Sequence, residues 1–236
     1  MTIKAILFDL DGTLLDHDMR SDFLPHYFEA LGKNFAHIIP PKKLIQGIML
    51  GSDAITRSDG SVTNMEAFAR VFYPYVNIAR ETLEPEFMVF YREVFPILQE
   101  YTKRKPEARD VVETMFKLGY RVVIATNPYF PYTAVQQRMA WAGVDDLPYH
   151  RITSYENSHF AKPDPRYFLE ILDEIGCKPE EALVVGDEAM DMIAGTIGCQ
   201  TFLVESTATI EHEIRPEPTY RGTLTGVKSL LTSKQK

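Results

Sequence analysis

The sequence has few cysteines and no long apolar run, and both absences narrow the classes of protein it can belong to. Only two of its 236 residues are cysteines, Cys177 and Cys199, and neither has a cysteine close by in sequence. This excludes a CxxC motif, a paired zinc site and a disulfide framework, so we expect two reduced structural thiols. No apolar run approaches the roughly 20 residues of a membrane-spanning helix, and no charged-then-apolar leader precedes the first predicted strand. We therefore expect a cytoplasmic protein without a membrane partner.

Positive charge is also scarce. The chain has 33 acidic and 25 basic residues, which gives a formal net charge of −8. Nucleic acids and anionic membrane surfaces repel such a chain, so neither is expected as a partner. A small phosphorylated substrate is still allowed, because a bound metal ion and a lysine can reverse the field inside a pocket.

The sequence does contain four short runs of Val, Ile, Leu and Phe without polar alternation. Such runs are typical of strands that are buried on both faces of a parallel sheet. They occupy residues 4–11, 120–127, 182–188 and 199–206, and helical patterns at residues 105–120, 164–176 and 191–198 lie between or beside them. This alternation predicts an α/β fold with a doubly wound, Rossmann-like parallel sheet.

Residues 17–103 interrupt that alternation. They contain four segments in which apolar and aromatic residues recur at three- and four-residue spacing, at residues 21–32, 41–50, 64–76 and 85–101. We predict an all-helical domain of residues 17–103, inserted into an α/β core of residues 1–16 and 104–236. Its aromatic stripe, which includes Phe68, Phe72, Tyr73, Phe87 and Phe90, is expected to form the core of the insertion. The terminal "TSKQK" is expected to fray.

Reactive side chains follow three of the predicted strands. Because ligands bind beyond the carboxyl ends of the strands in doubly wound sheets, these side chains should meet at one edge. Such a set suits one metal ion, one phosphoryl group and one nucleophile. The residues are Asp9 and Asp11 after the first strand, Thr126 and Asn127 after the second, Lys162 in the loop "FAKPDP", and Asp187 and Asp191 after the third.

Four motifs in this set resemble those of the haloacid dehalogenase superfamily of phosphohydrolases. They are "DLDGT" at residues 9–13, "ATN" at 125–127, "AKPDP" at 161–165 and "GDEAMD" at 186–191, in the order that the superfamily has them. The resemblance implies a Mg²⁺-dependent phosphomonoester hydrolase that acts on a small phosphorylated metabolite through an aspartyl-phosphate intermediate. The helical insertion after the first motif is similar to the C1-type cap of that superfamily.

The resemblance also implies a role for each residue of the first motif. Asp9 would attack phosphorus, which divides one difficult displacement into two easier ones. Asp11 would protonate the leaving alcohol and then take a proton from the hydrolytic water. Gly12 would let the chain turn sharply enough to bring Asp11 over the site, and Thr13 would support the site from behind these groups.

The other motifs would bind the phosphoryl group and the metal ion. The Thr126 hydroxyl and the Asn127 backbone N–H would hold phosphoryl oxygens, and Lys162 would neutralise charge between nucleophile and phosphate. Mg²⁺ would be bound by Asp9, the backbone carbonyl of Asp11 and Asp187. Two interpretations of Asp191 stay open: it supports the metal site, or it is an acid favoured near a helix N-terminus by the helix dipole.

Other functions that use related chemistry are less consistent with these residues. A hydrolytic dehalogenase of the superfamily lacks the second acid of the first motif, so Asp11 argues against it. A phosphomutase uses the same machinery and stays an alternative, as does a receiver-like phosphoacceptor domain, which is shorter and has no helical insertion.

Two local features of the sequence lie outside the four motifs. His17 follows the first motif, and Arg57 in the polar stretch 51–64 either contacts an anionic substrate or lies on an exposed loop. The sequence does not indicate the oligomeric state.

Overall fold

The computed structural model describes residues 2–206 and 209–233. Its centre is a sheet of six parallel strands in the order β5-β4-β1-β6-β7-β8, and a separate antiparallel pair joins β2 and β3. The strands are β1 (Ala5–Phe8), β2 (Leu15–Asp16), β3 (Lys103–Arg104), β4 (Arg121–Ile124), β5 (Arg151–Ile152), β6 (Ala182–Gly186), β7 (Gln200–Val204) and β8 (Tyr220–Gly222). The predicted α/β fold with a parallel sheet is confirmed.

The four predicted strands correspond to β1, β4, β6 and β7. The other two strands of the six-stranded sheet, β5 and β8, were not predicted; they are its edge strands and are two and three residues long. The register pairs Phe8 of β1 with Ile124 on one side and Val185 on the other. The chain therefore leaves β1, β4 and β6 at one edge of the sheet, directly before the predicted site residues.

Helices cover both faces of the sheet, which explains why its strands are uninterrupted apolar runs. Ile6 and Phe8 of β1 point into one buried cluster, and Ala5 and Leu7 point into another, where they meet Phe168. The covering helices are α5 (Ala108–Lys117), α6 (Tyr132–Ala142), α7 (Arg166–Glu174), the short α8 (Ala189–Met192) and α9 (Leu224–Ser233). Residues 234–236 of the tail that was predicted to fray lie outside the described residues.

The chain between β2 and β3 is helical, as predicted, and we call residues 17–102 the helical insertion. It contains a π-helical turn (Met19–Phe23), α1 (Leu24–Phe35), α2 (Pro41–Thr56), α3 (Asn64–Val76), α4 (Arg80–Glu93) and a 3-10 turn (Phe95–Tyr101). Within the part of the chain that the structure describes, no helix is long and apolar enough to cross a membrane.

Helix α3 has the predicted limits, whereas α2 and α4 differ from the prediction. Helix α2 continues past Gly51, where the backbone lies against the ring of Phe68 and leaves no room for a side chain. Helix α4 begins five residues before Pro85 and ends at Glu93. The chain then continues as a 3-10 turn, because Pro96 has no N–H for an α-helical hydrogen bond.

The aromatic side chains of the stripe differ in burial and in position. Phe72 and Phe90 are completely buried in the core of the insertion, as expected. Phe68, Tyr73 and Phe87 are only partly buried and line a cavity between the insertion and the sheet. These three side chains therefore pack against the core of the insertion, as expected, and also face the cavity.

Hydrogen bonds hold the insertion to the core at its base and at α3. At its base, Leu15 and Asp16 of β2 pair with Arg104 and Lys103 of β3. Farther along, the backbone N–H groups of Asn64 and Met65 donate to the carbonyls of Ser158 and Tyr155, both at 2.8 Å. The buried Asn64 side chain also donates to the Phe160 carbonyl at 3.1 Å. We call these bonds to residues 155–160 the α3 latch.

Candidate active site

Asp9 stands at the carboxyl end of β1, in the middle of the sheet edge. Its backbone N–H donates to the Val185 carbonyl at 2.8 Å, which continues the sheet pairing to this residue. The residue is only 8% exposed. Its Oδ1 accepts a hydrogen bond from Lys162 Nζ at 2.8 Å. A carboxylate buried to this degree needs such a partner, so strand and lysine together fix the position of Asp9.

Lys162 reaches the same point from the loop before α7. Its ammonium is buried and also donates to Asp191 Oδ1 at 2.5 Å. Burial acts to lower the pKa of Lys162, but the carboxylates of Asp191 and Asp9 hold it well above its ordinary value. The Lys162 backbone N–H donates to Asn127 Oδ1 at 3.1 Å. The lysine is therefore charged, and Asn127 ties its loop to the end of β4.

Asp187 follows β6 and faces the turn of the first motif. Its Oδ1 accepts from Thr13 Oγ1 at 2.9 Å, and both side chains are buried. Gly12 has a φ of 78°, and a Cβ at this position would overlap the Asp187 carboxylate. Only glycine meets both requirements, since it alone adopts this backbone conformation readily and has no side chain. Two residues of the first motif, Gly12 and Thr13, thus contact the Asp187 carboxylate directly.

Asp9, Asp187 and Asp191 form a buried acidic cluster whose potential ligand atoms all lie within 4.8 Å of one another. Burial raises the pKa of Asp9 well above its ordinary value, against the effect of Lys162. Burial, followed by the nearby Asp191, raises the pKa of Asp187 to about 7. One lysine therefore does not compensate the three carboxylates. This excess of negative charge on oxygen atoms fits a hard divalent cation.

Asp191 belongs both to this cluster and to the start of α8. Its Oδ1 accepts from Lys162, while its Oδ2 accepts from the backbone N–H of Glu188 at 3.2 Å. Gly186 comes so close that a Cβ there would overlap the Asp191 carboxyl group. The two sequence-based interpretations of Asp191 therefore apply to different oxygens: Oδ1 bonds to the lysine of the site, and Oδ2 bonds to the backbone at the start of α8.

The Asp11 side chain turns away from the acidic cluster and is held from α6. Its Oδ2 accepts from Arg138 Nη1 and, at 3.3 Å, from Thr126 Oγ1. Its Oδ1 is buried without a hydrogen-bond partner and lies 3.4 Å from His17 Nε2. Burial lowers the pKa of His17, so this ring is neutral beside the carboxylate. Asp11 is therefore directed by an arginine that the sequence prediction did not include.

Arg138 is 1% exposed, and its guanidinium lies 4.6 Å from the centre of the Phe130 ring. The sequence does hold a signal for it. Val135, Met139 and Ala142 form the buried face of α6, and Arg138 falls among them at helical spacing. A cation on an apolar face requires a buried anion, and Asp11 is that anion.

A cavity of about 1210 Å³ lies between this edge of the sheet and the helical insertion. Asp9, Asp11, Thr126 and Asp187 are on its core side, and helices of the insertion supply much of the opposite wall. Arg57 is not part of this lining. Its guanidinium is 3.1 Å from Asp53 and its side chain is 79% exposed, so the interpretation of Arg57 as a surface residue is the correct one.

The fold and the site define the class of this protein: an α/β enzyme with a lysine and clustered carboxylates at the carboxyl edge of a parallel sheet. Residues 3–196 match the model of the haloacid dehalogenase-like hydrolases, and the chain belongs to that family of hydrolases. The predicted resemblance is thereby confirmed. A receiver-like phosphoacceptor domain is the wrong interpretation, since the family is enzymatic.

Individual relatives agree with this assignment. The chain is 26% identical over 198 residues to the N-acetylmuramic acid 6-phosphate phosphatase of Pseudomonas aeruginosa. The matched region covers 83% of this chain and 78% of that relative. The chain is 26% identical over 204 residues to the phosphoglycolate phosphatase of Aquifex aeolicus, at 82% and 80% coverage. A putative β-phosphoglucomutase structure from Thermotoga maritima has the same fold, with a TM-score of 0.58 and 19% identity over 98% of this chain and 99% of that one.

Proposed function

We propose that this protein is a phosphomonoester hydrolase that acts on a small phosphorylated substrate through an aspartyl-phosphate at Asp9. The observation that carries the proposal is the buried Asp9 carboxylate, which is bonded to Lys162, grouped with Asp187 and Asp191, and part of the cavity wall. The names of the two curated relatives above, both phosphatases, support the same reaction.

In the first step, Asp9 attacks phosphorus, and the bond between phosphorus and the leaving oxygen breaks. Lys162 binds Oδ1 of Asp9, so Oδ2 is the oxygen available for attack. The ammonium of Lys162 offsets the charge that gathers on the phosphoryl oxygens. The Thr126 hydroxyl and the Asn127 backbone N–H are assigned to hold those oxygens, since both residues follow β4 at the same edge.

Asp11 is assigned as the group that moves the proton. It protonates the leaving oxygen, and it then takes a proton from the water that hydrolyses the aspartyl-phosphate. Arg138 and Thr126 hold Oδ2, so the unpartnered Oδ1 is the oxygen that carries the proton. Arg138 acts here as a positioning residue. Its contact with Asp11 keeps the carboxylate in one orientation.

The acidic cluster fits Mg²⁺, which the Asp9 and Asp187 carboxylates and the backbone carbonyl of Asp11 would hold. When bound, the ion supplies positive charge against the carboxylates and the phosphoryl oxygens. We assign Asp191 to holding Lys162 and the start of α8, because both of its oxygens already have donors. Gly12 and Thr13 keep Asp187 in place.

We further propose that residues 17–103 act as a cap of the C1 type over a core of residues 1–16 and 104–236. The β2–β3 pair lies at these limits and joins the two parts. A cap in this place would exclude water from the cavity and supply contacts to the leaving group. Inorganic phosphate is the expected product, and transfer back to the substrate would indicate the phosphomutase alternative.

The direct test is hydrolysis of para-nitrophenyl phosphate with Mg²⁺ and with EDTA. Asp9→Asn should lower kcat by at least about 10³-fold, because an amide cannot form the intermediate. Asp173→Asn, a change at an exposed position on α7, is the matched control and should keep wild-type turnover. Metal-dependent turnover that survives Asp9→Asn would refute the covalent mechanism.

A further inference from the structure

The cavity wall is rich in aromatic and sulfur-containing side chains. Nine Phe or Tyr residues line it, together with five of the nine methionines of the chain. Phe68, Tyr73 and Phe87 of the insertion belong to this wall. Aromatic rings and thioethers offer large, polarisable apolar surfaces that adapt to an apolar ligand. The wall therefore suits an apolar leaving group, whose transfer from water into the cavity is favourable.

Several tyrosine hydroxyls of the wall already have partners. The hydroxyls of Tyr27 and Tyr91 bond to each other at 2.7 Å, and Tyr129 bonds to Thr56 at 2.7 Å. These phenols therefore offer the cavity their rings more than their hydroxyls. These three hydroxyls are therefore not free to bond a leaving group rich in hydroxyls, such as a sugar.

The charges of the wall disfavour a second anionic group on the substrate. Among the described residues that line the cavity outside the acidic cluster, five are Asp or Glu, four are Arg and none is Lys. Arg80 binds both oxygens of Glu84, at 3.1 and 3.0 Å, and it also lies 3.3 Å from Glu66.

The other three arginines also have carboxylate partners. Arg92 is 2.8 Å from Glu93, Arg20 is 3.6 Å from Glu188, and Arg138 holds Asp11. A carboxylate or second phosphate on the leaving group would meet these paired cations and an excess of negative charge.

We infer that the substrate is a phosphate monoester with an apolar leaving group, a ring or larger, that carries no second anion. This inference rests on the proposed phosphatase activity. The cavity volume of about 1210 Å³ is ample for such a group. The inference also separates this chain from its Aquifex aeolicus relative, which is named for phosphoglycolate, a substrate that this cavity disfavours.

The test compares three phosphates of primary alcohols, so that the leaving oxygens are chemically alike: 2-phenylethyl phosphate, glycerol 3-phosphate and phosphoglycolate. We expect kcat/KM for 2-phenylethyl phosphate to exceed the other two by at least about tenfold, since only its ring is buried favourably. Equal or higher kcat/KM for either polar substrate, or no turnover of all three, overturns the inference. Asp9-dependent hydrolysis of para-nitrophenyl phosphate would in that case leave the proposed function standing.

A pair of neighbouring substitutions tests the charge argument. Met88 on α4 lines the cavity and is 66% exposed, whereas Val89 is 37% exposed and outside the lining. Met88→Lys would add an unpaired cation to the wall. We expect it to shift the ratio of kcat/KM values toward phosphoglycolate by at least about fivefold, while Val89→Lys keeps the wild-type ratio. An unchanged ratio in Met88→Lys, or the same shift in both variants, overturns the inference.

Discussion

At the scale of single residues, the pair of Arg138 and Asp11 fixes the orientation of the carboxylate that we propose transfers the proton. The Arg138 side chain is 1% exposed and the Asp11 side chain 11%, and Arg138 Nη2 has no hydrogen-bond partner in the described part of the chain. A buried charge that loses its partner is strongly destabilising. The pair should therefore affect both the stability of the fold and the rate of catalysis.

We expect Arg138→Gln to lower the free energy of unfolding by about 3 kcal/mol, because it leaves Asp11 buried without its cation. It should also lower kcat more than it raises KM, since Asp11 is then free to turn away from the leaving oxygen. Denaturant unfolding and steady-state kinetics measure the two effects. Arg138→Lys should restore part of kcat if charge near Asp11 is what matters.

The control for this variant is Arg109→Gln. Arg109 is paired with Asp146 at the surface, and surface pairs contribute at most about 1 kcal/mol. An Arg138→Gln enzyme with wild-type kcat would contradict the positioning role, whatever its stability.

The residues of the site differ in how well the sequence predicts them. Asp9, Asp11 and Asp187 directly follow apolar strands, and this local pattern is enough to bring them together at one edge. Arg138 lies 127 positions from Asp11, and no short-range pattern pairs such distant residues. Its place on the apolar face of α6 shows only that a buried anion is needed. The sequence does not identify which anion it is.

At the scale of elements, the α3 latch joins the insertion to the loop that leads to Lys162. Gly60, four residues before Asn64, packs against Phe160 so closely that a Cβ would overlap the ring. Asn64 itself is completely buried. The latch therefore connects the insertion to residues next to Lys162.

We expect Asn64→Ala to loosen this latch, because the side-chain bond to the Phe160 carbonyl is lost. The amides of Asn64 and Met65 donate to the loop, so their hydrogen exchange should speed up by at least about fivefold. We also expect a lower kcat/KM, since a loosened insertion spends less time closed over the cavity.

Asn34→Ala in α1 is the control, since no hydrogen bond joins α1 to residues 155–160 in the described part of the chain. Faster exchange of these two amides in both variants alike would indicate general destabilisation instead.

The elements that the sequence predicts poorly are the shortest and the interrupted ones. The edge strands β5 and β8 have two and three residues, too few for a periodic pattern to be recognised. Pro85 suggested a helix start, but α4 begins at Arg80 and contains Pro85 in its interior, where a proline normally disfavours a helix. Helix α3, with a Thr63 cap and a regular apolar stripe, is predicted to the residue.

At the scale of the whole molecule, the acidic cluster links stability to pH and to Mg²⁺. The pKa of Asp187 rises on folding from 3.8 to about 7 when no ion is bound. The folded state thus keeps a proton that the unfolded chain releases. The stabilisation from this proton is complete below the unfolded pKa and is lost as pH rises through the folded pKa.

We therefore expect Tm in EDTA to fall between about pH 5 and about pH 8. Mg²⁺ binds the ionised carboxylates, so it should raise Tm more at the higher pH. Differential scanning calorimetry at both values measures this. Asp187→Asn should reduce both the pH dependence and the response to Mg²⁺, whereas Asp173→Asn should change neither. Equal Mg²⁺ shifts at both pH values would contradict the linkage.

The central position of β1 has a consequence for how the molecule is made. The strands that pair with β1, at Arg121–Ile124 and Ala182–Gly186, are synthesised long after it. In the interval the ribosome releases helices α1 to α4. Since contacts that are local in sequence form faster than distant ones, we expect the helical insertion to fold while β1 still waits unpaired. The helical insertion thus folds before the central sheet, and β1 is in that interval an unpaired apolar segment available to a chaperone at the ribosome exit.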